Sequence, residues 1–362
     1  MLLSNETSIV FKPGTVSSDL MSVKENGALM ENNFSIRTII LVALCLQNAC
    51  YTLVRKYSTK YEDVSSKEIL LVSEIIKIGF SIYMIWNEPD STISDSQGQG
   101  VSKLIWLLQN SSKMFILALI YGAMNILSFV ALQYIGAGEF TICAQLKILT
   151  TAGFAVLVLK TSLTPTKWRA LALLVLGCIL VASPSFTQSQ PAAVGADGKS
   201  ELSGTEVLQI FGYAAVLTEV VLSGFASIYF EKVVKSTTEV VTIWERNFQL
   251  GMYSLLMYGG IILYENYFSA VDPEKVQRAA WSNWSFITLM VSVLGAAGGL
   301  LVAATLKYAD AILKTLAAAG AIVMATVLGH YFLDGPLDLV IAIGSFVAII
   351  SIANYTLDST NK

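Results

Sequence analysis

Long apolar runs separated by short polar breaks fill the chain from residue 36 onward. A membrane-spanning helix needs about 20 predominantly apolar residues. Ten runs come close to that length, and we interpret each as a transmembrane helix of an all-α polytopic membrane protein. The predicted spans are 36–54, 67–86, 112–134, 138–159, 166–183, 207–230, 240–265, 285–306, 311–333 and 337–356.

A stretch rich in Pro, Gly, Ser and Gln at 184–206 predicts a flexible linker that separates two sets of five spans. Because five is odd, the second set must enter the membrane in the opposite orientation, which is the plan of an inverted repeat. We therefore predict two five-helix repeats, 36–183 and 207–356. A disordered cytosolic tail over 1–35 and a short cytosolic tail over 357–362 flank them.

Basic residues in the loops predict that both termini are cytosolic. With that orientation, 12 Lys and Arg residues face the cytosol and seven face the opposite side. The hairpin "RKYSTKYEDVSSK" weakens this asymmetry, because it places four basic residues on the opposite side.

Composition excludes several other classes of protein. The chain is 54% hydrophobic and 14% charged, whereas a soluble domain carries about 25% charged residues. A net charge of −3 provides no basic face for nucleic acid, so no nucleic-acid partner is expected. The cysteines lie in apolar runs, which favours buried thiols over disulfides. Since His330 is the only histidine, no metal site or cofactor is predicted.

Basic residues inside the predicted spans raise the question of what they bind. Lys147 lies in the fourth span, where a lysine at mid-bilayer costs about 2.5–3.5 kcal/mol. Lys314 lies in the fourth span of the second half, 167 positions later, and Lys77 and Arg246 correspond in the same way on the second spans. Either this is coincidence among 23 basic residues, or two lysines bind an anion such as phosphate at the repeat interface.

Other intramembrane polar residues have two interpretations each. Tyr121 and Asn125 share a helix face, which would suit a base or a ribose. Glu74 and Lys77 are three residues apart and form either a local neutral pair or part of a site. Asn247 is either a binding residue or an interhelical hydrogen-bond partner.

The segments "QLKILTTA", "SGFASIYFEK" and "LKYADAILK", in this order and spacing, resemble the Golgi nucleotide-sugar transporters of the CMP-sialic acid, UDP-galactose and UDP-N-acetylglucosamine group. That group belongs to the drug/metabolite transporter superfamily, and the resemblance covers about residues 36–356. It implies ten helices, a Golgi membrane, and exchange of a cytosolic nucleotide sugar for a luminal nucleoside monophosphate by alternating access.

The resemblance also implies roles for the residues above. Lys147 and Lys314 would meet phosphate, and Lys77 with Glu74 would face the sugar. Gly224 matches a family glycine at which a bulky side chain should block helix packing. The residues implied to contact the nucleoside are Tyr121, Asn125 and Asn247.

The chain departs from the CMP-sialic acid carriers at four positions. Tyrosines of those carriers are replaced by Phe140, Ala144 and Gly251, and an asparagine is replaced by Ala311. "LKILTTA" is more similar to the UDP-galactose and UDP-N-acetylglucosamine branch, while CMP-sialic acid stays open as a substrate. These departures leave the details of base and sugar recognition undetermined.

Three further functional hypotheses remain. A non-transporting receptor or scaffold is one of them, although it would not explain the buried lysines. The same fold could carry another phosphorylated organic anion. An intramembrane enzyme is disfavoured because the chain has no nucleophile–base spacing, so no catalytic residue is predicted. The sequence leaves open whether two copies form a homodimer.

Overall fold

The computed structural model describes residues 15–62, 64–87, 100–188, 202–236, 241–268, 281–333, 335 and 337–358. Within these ranges the chain forms twelve α-helices and no β-strand. The helices are α1 Thr15–Tyr61, α2 Ser66–Asn87, α3 Val101–Gln109, α4 Ser112–Tyr134, α5 Ala137–Ala144, α6 Lys147–Leu159, α7 Pro165–Gln188, α8 Leu202–Val234, α9 Ile243–Phe268, α10 Phe286–Tyr308, α11 Ala311–Leu333 and α12 Leu339–Leu357.

The prediction of an all-helical polytopic membrane protein is confirmed. Nine spans in the described part of the chain are long and apolar enough to cross a membrane. The helix α9 overlaps the remaining predicted span, 240–265, but is not among these nine. The exact count of ten spans in two repeats stays a prediction.

The fourth predicted span is not one continuous helix, which corrects the sequence interpretation. The helix α5 ends at Ala144, Gln145 and Leu146 form a turn, and α6 begins at Lys147. The backbone N–H groups of Gln145 and Leu146 donate to carbonyls three residues earlier, the tighter bonding of a 3₁₀ turn. Lys147 therefore starts a new helix within the membrane.

Two other boundaries differ from the predicted ones. The helix α1 begins at Thr15, so part of the predicted tail 1–35 continues the first helix, where Lys24, Glu25 and Ala28 are good helix formers. Residues 1–14 of that tail lie outside the described residues. The helices α7 and α8 extend into both ends of the predicted linker 184–206, whose central residues 189–201 also lie outside the described part.

Helices of the two halves of the chain pack against each other. The same set of helix contacts is obtained when the two halves are interchanged. The helix α1 packs against α10 and α11, and α8 packs against α4 and α6. By position within the halves, α1 corresponds to α8, α10 to α4 and α11 to α6. Interchanging corresponding helices therefore converts the contacts of α1 into those of α8. The pairs α2–α9 and α7–α12 convert into themselves, so a two-fold relation of the halves would place each pair on its axis. This pattern supports the inverted-repeat interpretation.

The α7–α12 pair is held by two facing glycines. A Cβ built at Gly177 would lie 2.9 Å from the carbonyl oxygen of Gly344. A Cβ built at Gly344 would lie 2.6 Å from the Cβ of Leu180. The two helix backbones are thus in direct contact, as small residues permit in membrane helices.

At the predicted luminal end, the α1–α2 hairpin is tied to α10. The Glu62 carboxylate accepts hydrogen bonds from Ser285 and, at 2.7 Å, from the Thr288 hydroxyl. Glu68 accepts from the Trp281 backbone N–H at 3.2 Å and from the Trp284 indole at 3.0 Å. These contacts join the two halves.

At the opposite end, α9 is tied to the segment that leads into α4. The Gln249 amide donates to the carbonyl oxygen of Leu107 at 2.7 Å. The Lys103 ammonium lies 2.9 Å from the Glu245 carboxylate, whose side chain is fully buried. Both ends of the bundle therefore carry polar contacts between the halves.

Candidate functional site

Lys147 occupies the first position of α6, directly after the break in the fourth span. The hydroxyls of Thr150 and Thr151 both donate to its backbone carbonyl, at 3.2 and 2.7 Å. Its side chain is half-buried, and within the described residues its ammonium makes no hydrogen bond or ion pair. The break therefore presents a cation that makes no direct ion pair with the described residues.

Lys314 lies in the first turn of α11, in the other half of the chain. Its ammonium donates to the Ser227 hydroxyl of α8 at 2.6 Å. Asp310, four residues earlier, caps the helix by accepting from the Leu313 N–H at 2.7 Å, so its carboxylate is already engaged. The structure thus aligns Lys314 with a neutral partner.

Lys147 and Lys314 are close enough for each charge to act on the other. They come from the fourth span of each half, and α6 packs against α11. Two like charges brought together in a low-dielectric interior repel. Glu231 acts on Lys314 and Glu219 acts on Lys147, so these carboxylates offset part of the repulsion, and a bound anion would offset more of it. The pair therefore forms a candidate anion site.

Close helix packing positions this pair. A Cβ built at Gly224 of α8 would lie 2.6 Å from Thr150 Oγ1 and 2.8 Å from the Thr150 carbonyl carbon. The Thr150 hydroxyl also donates to the Val220 carbonyl oxygen of α8 at 3.0 Å. The absence of a side chain at Gly224 thus allows α8 to approach the break that carries Lys147.

Glu219 is the acidic residue that the sequence interpretation did not include. It lies on α8, within electrostatic range of Lys147. Its Oε2 is buried and has no hydrogen-bond partner among the described residues. A carboxylate within the apolar run 207–230 was the available signal, but the sequence does not show which neighbouring helix it faces.

A second polar cluster is centred on α2. Glu74 and Lys77 form an ion pair at 2.6 Å, and both side chains are mostly buried. A Cβ built at Gly299 of α10 would lie 3.1 Å from Lys77 Cδ, and one built at Gly251 of α9 would lie 3.5 Å from Glu74 Oε2. The Cβ built at Gly251 would also lie 2.8 Å from Ile78 Cγ1, so a tyrosine would not fit here unless Ile78 moved.

Asn125 joins this second cluster through a residue that sequence reasoning missed. Its amide donates to the Tyr258 hydroxyl of α9 at 3.4 Å. Tyr258 is in turn within electrostatic range of Glu74 and Tyr51. Tyr258 sits in an apolar run with no motif around it, and only the α4–α9 contact identifies it.

Two other sequence candidates have different surroundings. Tyr121, one turn before Asn125 on α4, is half-buried and packs against the main hydrophobic core. Asn247 is 1% exposed, and its amide donates to the Ile243 carbonyl oxygen of its own helix at 3.0 Å. The described contacts do not bring Asn247 to either cluster.

The two clusters suit different parts of one ligand. Lysine ammonium groups act as strong point charges for phosphate. The internally neutral Glu74–Lys77 pair and the Asn125 and Tyr258 groups offer hydrogen bonds without net charge. An anionic molecule with a polar, uncharged portion would use both.

Known proteins and a family model match this chain in sequence over most of its length. The family model described as nucleotide-sugar transporter matches residues 32–356. A human UDP-N-acetylglucosamine transporter is 31% identical over 306 residues, which cover 83% of this chain and 88% of the relative. A UDP-galactose/UDP-N-acetylglucosamine transporter of Caenorhabditis elegans is 33% identical over 351 residues, covering 93% of this chain and 86% of the relative.

More distant matches are similar in coverage. A UDP-galactose transporter of Schizosaccharomyces pombe is 28% identical over 330 residues, covering 89% of this chain and 88% of the relative. A crystal structure matches with a TM-score of 0.61 at 16% identity, and the match covers 90% of this chain and 98% of that chain. At that identity, the structural match supports the fold alone.

Proposed function

Because this chain belongs to the nucleotide-sugar transporter family, we propose that it exchanges a cytosolic nucleotide sugar for a luminal nucleoside monophosphate across the Golgi membrane. Membership makes it a multi-pass membrane transporter of nucleotide sugars rather than an enzyme. Antiport, the particular substrate and the cytosolic position of both termini are the proposed part.

The observation that carries the proposal is the packing of α6 against α11, the helices that carry Lys147 and Lys314, with the charge of Lys147 acting on Lys314. The diphosphate of a nucleotide sugar and the phosphate of a nucleoside monophosphate are both anions that this pair would bind. One anion site used by both substrates makes them compete, which exchange by alternating access requires. The neutral cluster around Glu74 and Lys77 would then take up the sugar side.

UDP-galactose and UDP-N-acetylglucosamine are the favoured substrates. The relatives above carry these names, and "LKILTTA" resembles their branch. CMP-sialic acid remains the alternative nucleotide sugar. The second candidate function is transport of another phosphorylated organic anion, which the lysine pair would also bind.

Alternating access is supported by the polar contacts at the two ends of the bundle. Glu62 joins α1 to α10 at one end, and Gln249 joins α9 to the α3–α4 connection at the other. Both sets of contacts join the first half of the chain to the second, one at each end of the bundle. Opening them in turn would expose the site to each side, as in other carriers built from inverted repeats.

Exchange in liposomes tests the proposal. Purified protein is reconstituted into vesicles preloaded with UMP or with CMP, and labelled UDP-galactose, UDP-N-acetylglucosamine or CMP-sialic acid is offered outside. We expect uptake of a UDP-sugar from UMP-loaded vesicles and little uptake into empty vesicles. Uptake that is independent of the internal nucleotide would reject antiport. If no nucleotide sugar enters and UMP and CMP do not raise the melting temperature, the proposed substrate class is wrong.

A further inference from the structure

The helices α1 and α2 meet on one face of α10, and that face is formed by glycines. A Cβ built at Gly295 would lie 2.8 Å from Ser73 Oγ of α2 and 3.5 Å from Tyr51 Cε2 of α1. Gly298 and Gly299 follow one turn later on the same helix. Because no side chain projects from these positions, polar side chains of α1 and α2 come together against the backbone of α10.

Gln47 of α1 lies on this glycine face. Its amide nitrogen Nε2 donates to the carbonyl oxygen of Leu294 at 2.7 Å. A Cβ built at Gly298 would lie 2.7 Å from this nitrogen and 3.0 Å from the amide oxygen Oε1. A Cβ built at Gly299 would lie 3.6 Å from Lys77 Nζ. The amide from α1 and the ammonium from α2 therefore lie against neighbouring residues of α10.

The amide oxygen of Gln47 is buried and accepts no hydrogen bond from the described residues. The Leu294 carbonyl is itself an acceptor, so only the NH₂ group of the amide can face it, and Oε1 is fixed as the open end. The interior of a membrane protein supplies little water to such an atom, so an unpaired acceptor is costly there. This position thus calls for a hydrogen-bond donor.

Gln249 illustrates a glutamine whose amide is fully used in joining helices. It is completely buried on α9, and its Nε2 donates to the Leu107 carbonyl oxygen at 2.7 Å. Its Oε1 accepts from an Arg246 guanidinium nitrogen at 3.3 Å. Hydrogen bonding between helices therefore engages both ends of the Gln249 amide. The same role accounts for the nitrogen of Gln47 but leaves its oxygen unused.

Polar groups without net charge lie near the open end of Gln47. The Glu74–Lys77 ion pair, 2.6 Å apart, is neutral as a whole. Tyr51, one turn after Gln47, is within electrostatic range of Tyr258. A hydrogen-bond acceptor in such a setting suits the hydroxyl group of an uncharged sugar, and it would repel a carboxylate.

We propose that Gln47 binds the sugar of the transported nucleotide sugar, with Oε1 accepting a hydrogen bond from a hydroxyl group of an uncharged hexose. This assignment rests on the proposed function, because it adds a specificity-determining residue to the sugar side of that site. In the present conformation Oε1 lies against Gly298 of α10. The α1–α10 contact joins the two halves, so the rocking motion of alternating access would loosen it and expose the amide.

Calorimetric titration separates binding of the sugar from binding of the nucleotide. The full-length protein in detergent is titrated with UDP-galactose, UDP-N-acetylglucosamine and UMP. Gln47→Met keeps the length of the side chain and removes the amide, so it should weaken binding of the UDP-sugars about five- to tenfold. The affinity for UMP, which lacks the hexose, should not change. Equal loss for UDP-sugars and UMP, or no loss for either, overturns the assignment, because a purely structural glutamine does not discriminate between them.

Gln249→Met is the matched control, because both ends of the Gln249 amide are engaged within the protein. It should lower the melting temperature without changing the ratio of UDP-sugar affinity to UMP affinity. A change of this ratio as large as that of Gln47→Met would overturn the proposal. Gln47→Ala serves if Gln47→Met does not fold. It removes the same amide with a smaller side chain, and the same change of the ratio is expected.

Monodeoxyfluoro analogues of the better-bound UDP-sugar identify the hydroxyl group. Fluorine in place of the hydroxyl cannot donate, so one analogue should bind the wild type about five- to tenfold more weakly than the parent sugar. With Gln47→Met, this analogue and the parent should bind equally, because the acceptor is already absent. If every analogue loses as much affinity in Gln47→Met as in the wild type, Gln47 does not contact the sugar. Failure of the wild type to bind any UDP-sugar would instead reject the proposed function itself, and this assignment with it.

Discussion

Lys147 and Lys314 differ from the neighbouring buried lysine in their surroundings. Lys77 is neutralised by Glu74 at 2.6 Å. Lys314 donates to the neutral Ser227 hydroxyl, and the Lys147 ammonium makes no ion pair in the part of the chain that is described. A buried cation without a direct ion-pair partner is costly, and an anionic ligand relieves that cost. At the residue scale, this distinguishes substrate-binding lysines from structural ones.

The first prediction is that Lys147→Ala and Lys314→Ala each abolish nucleotide-sugar exchange. Loss of one charge-assisted contact of about 2–3 kcal/mol should weaken UMP binding by roughly 30- to 150-fold. Binding is measured by calorimetry and exchange in the liposome assay. Lys307→Ala, which removes an exposed lysine of α10, is the control and should exchange normally. Wild-type exchange by either site variant would exclude that lysine from the site.

Glu219 makes the second prediction at this scale. Its carboxylate acts on Lys147 and would repel the phosphate that Lys147 binds. Glu219→Gln keeps the shape and removes the charge, so UMP should bind about tenfold more tightly, from a repulsion of about 1–2 kcal/mol at an effective dielectric constant near 20. Glu245→Gln is the comparison, because Glu245 is buried but pairs with Lys103. Weaker UMP binding in Glu219→Gln would mean that Glu219 orients Lys147 instead.

At the scale of helices, the apolar runs predicted where the helices lie but not how they break or which faces meet. The interruption at Gln145 contains neither Pro nor Gly, so no local signal marks it. Lys147 could be paired with Lys314 from the sequence because each lies in the fourth predicted span of its half. Glu219 and Tyr258 were not matched with a polar residue in the other half. Their neighbours depend on how each helix is rotated about its axis, which is set by packing between segments that are distant in the sequence.

The contact between α6 and α8 makes the third prediction. Gly224→Ala places a Cβ within 2.6–2.9 Å of Thr150, including its backbone, so one helix must move. Overpacking of this kind costs about 1–3 kcal/mol and should lower both the melting temperature and the exchange rate. Gly153→Ala on α6 is the matched control, since nothing lies within 4 Å of its added Cβ. Equal effects of the two substitutions would show that the α6–α8 contact is not tightly constrained.

The contact between the α1–α2 hairpin and α10 makes the fourth prediction. Burial alone would raise the pKa of Glu62, but hydrogen bonds from Ser285, Thr288 and Ser58 outweigh it and lower the pKa below the usual 4.5. Because the folded-state pKa is lowered, the contribution of Glu62 to stability is present above pH 4.5 and is lost as the pH falls below it. Wild type should therefore melt at a higher temperature than Glu62→Gln at neutral pH.

Thermal unfolding measured as a function of pH checks this dependence. The difference in melting temperature between wild type and Glu62→Gln should shrink below pH 4.5 and vanish once the carboxyl group is protonated. Thr288→Val removes one of the donors, so it should move the midpoint of this change upward. A difference that persists unchanged to low pH would show that Glu62 acts through packing and not through its charge.

For the whole molecule, contacts between the halves are of two classes. One class lies on the approximate two-fold axis, and the other lies away from it. The pairs α7–α12 and α2–α9 convert into themselves under the exchange of halves and lie on the approximate axis. The Glu62 contacts with α10 lie away from it, at one end. A rocking motion of the halves changes distances least at the axis and most at the ends. The facing glycines Gly177 and Gly344 are therefore expected to stay together while the Glu62 contacts open.

The fifth prediction tests this division by cross-linking. Glu62→Cys and Ser285→Cys are introduced together in a variant without the native cysteines. A short bifunctional thiol reagent that contains a cleavable disulfide then cross-links the two new cysteines. Exchange should fall more than about tenfold, since the closed end cannot open, and it should recover on reduction. Thr164→Cys with Asp358→Cys joins α7 to α12, where the native side chains are hydrogen-bonded at 2.5 Å, and this cross-link should leave exchange largely intact. Arrest by the α7–α12 cross-link, or continued exchange with the Glu62–Ser285 end joined, would contradict rocking about this axis.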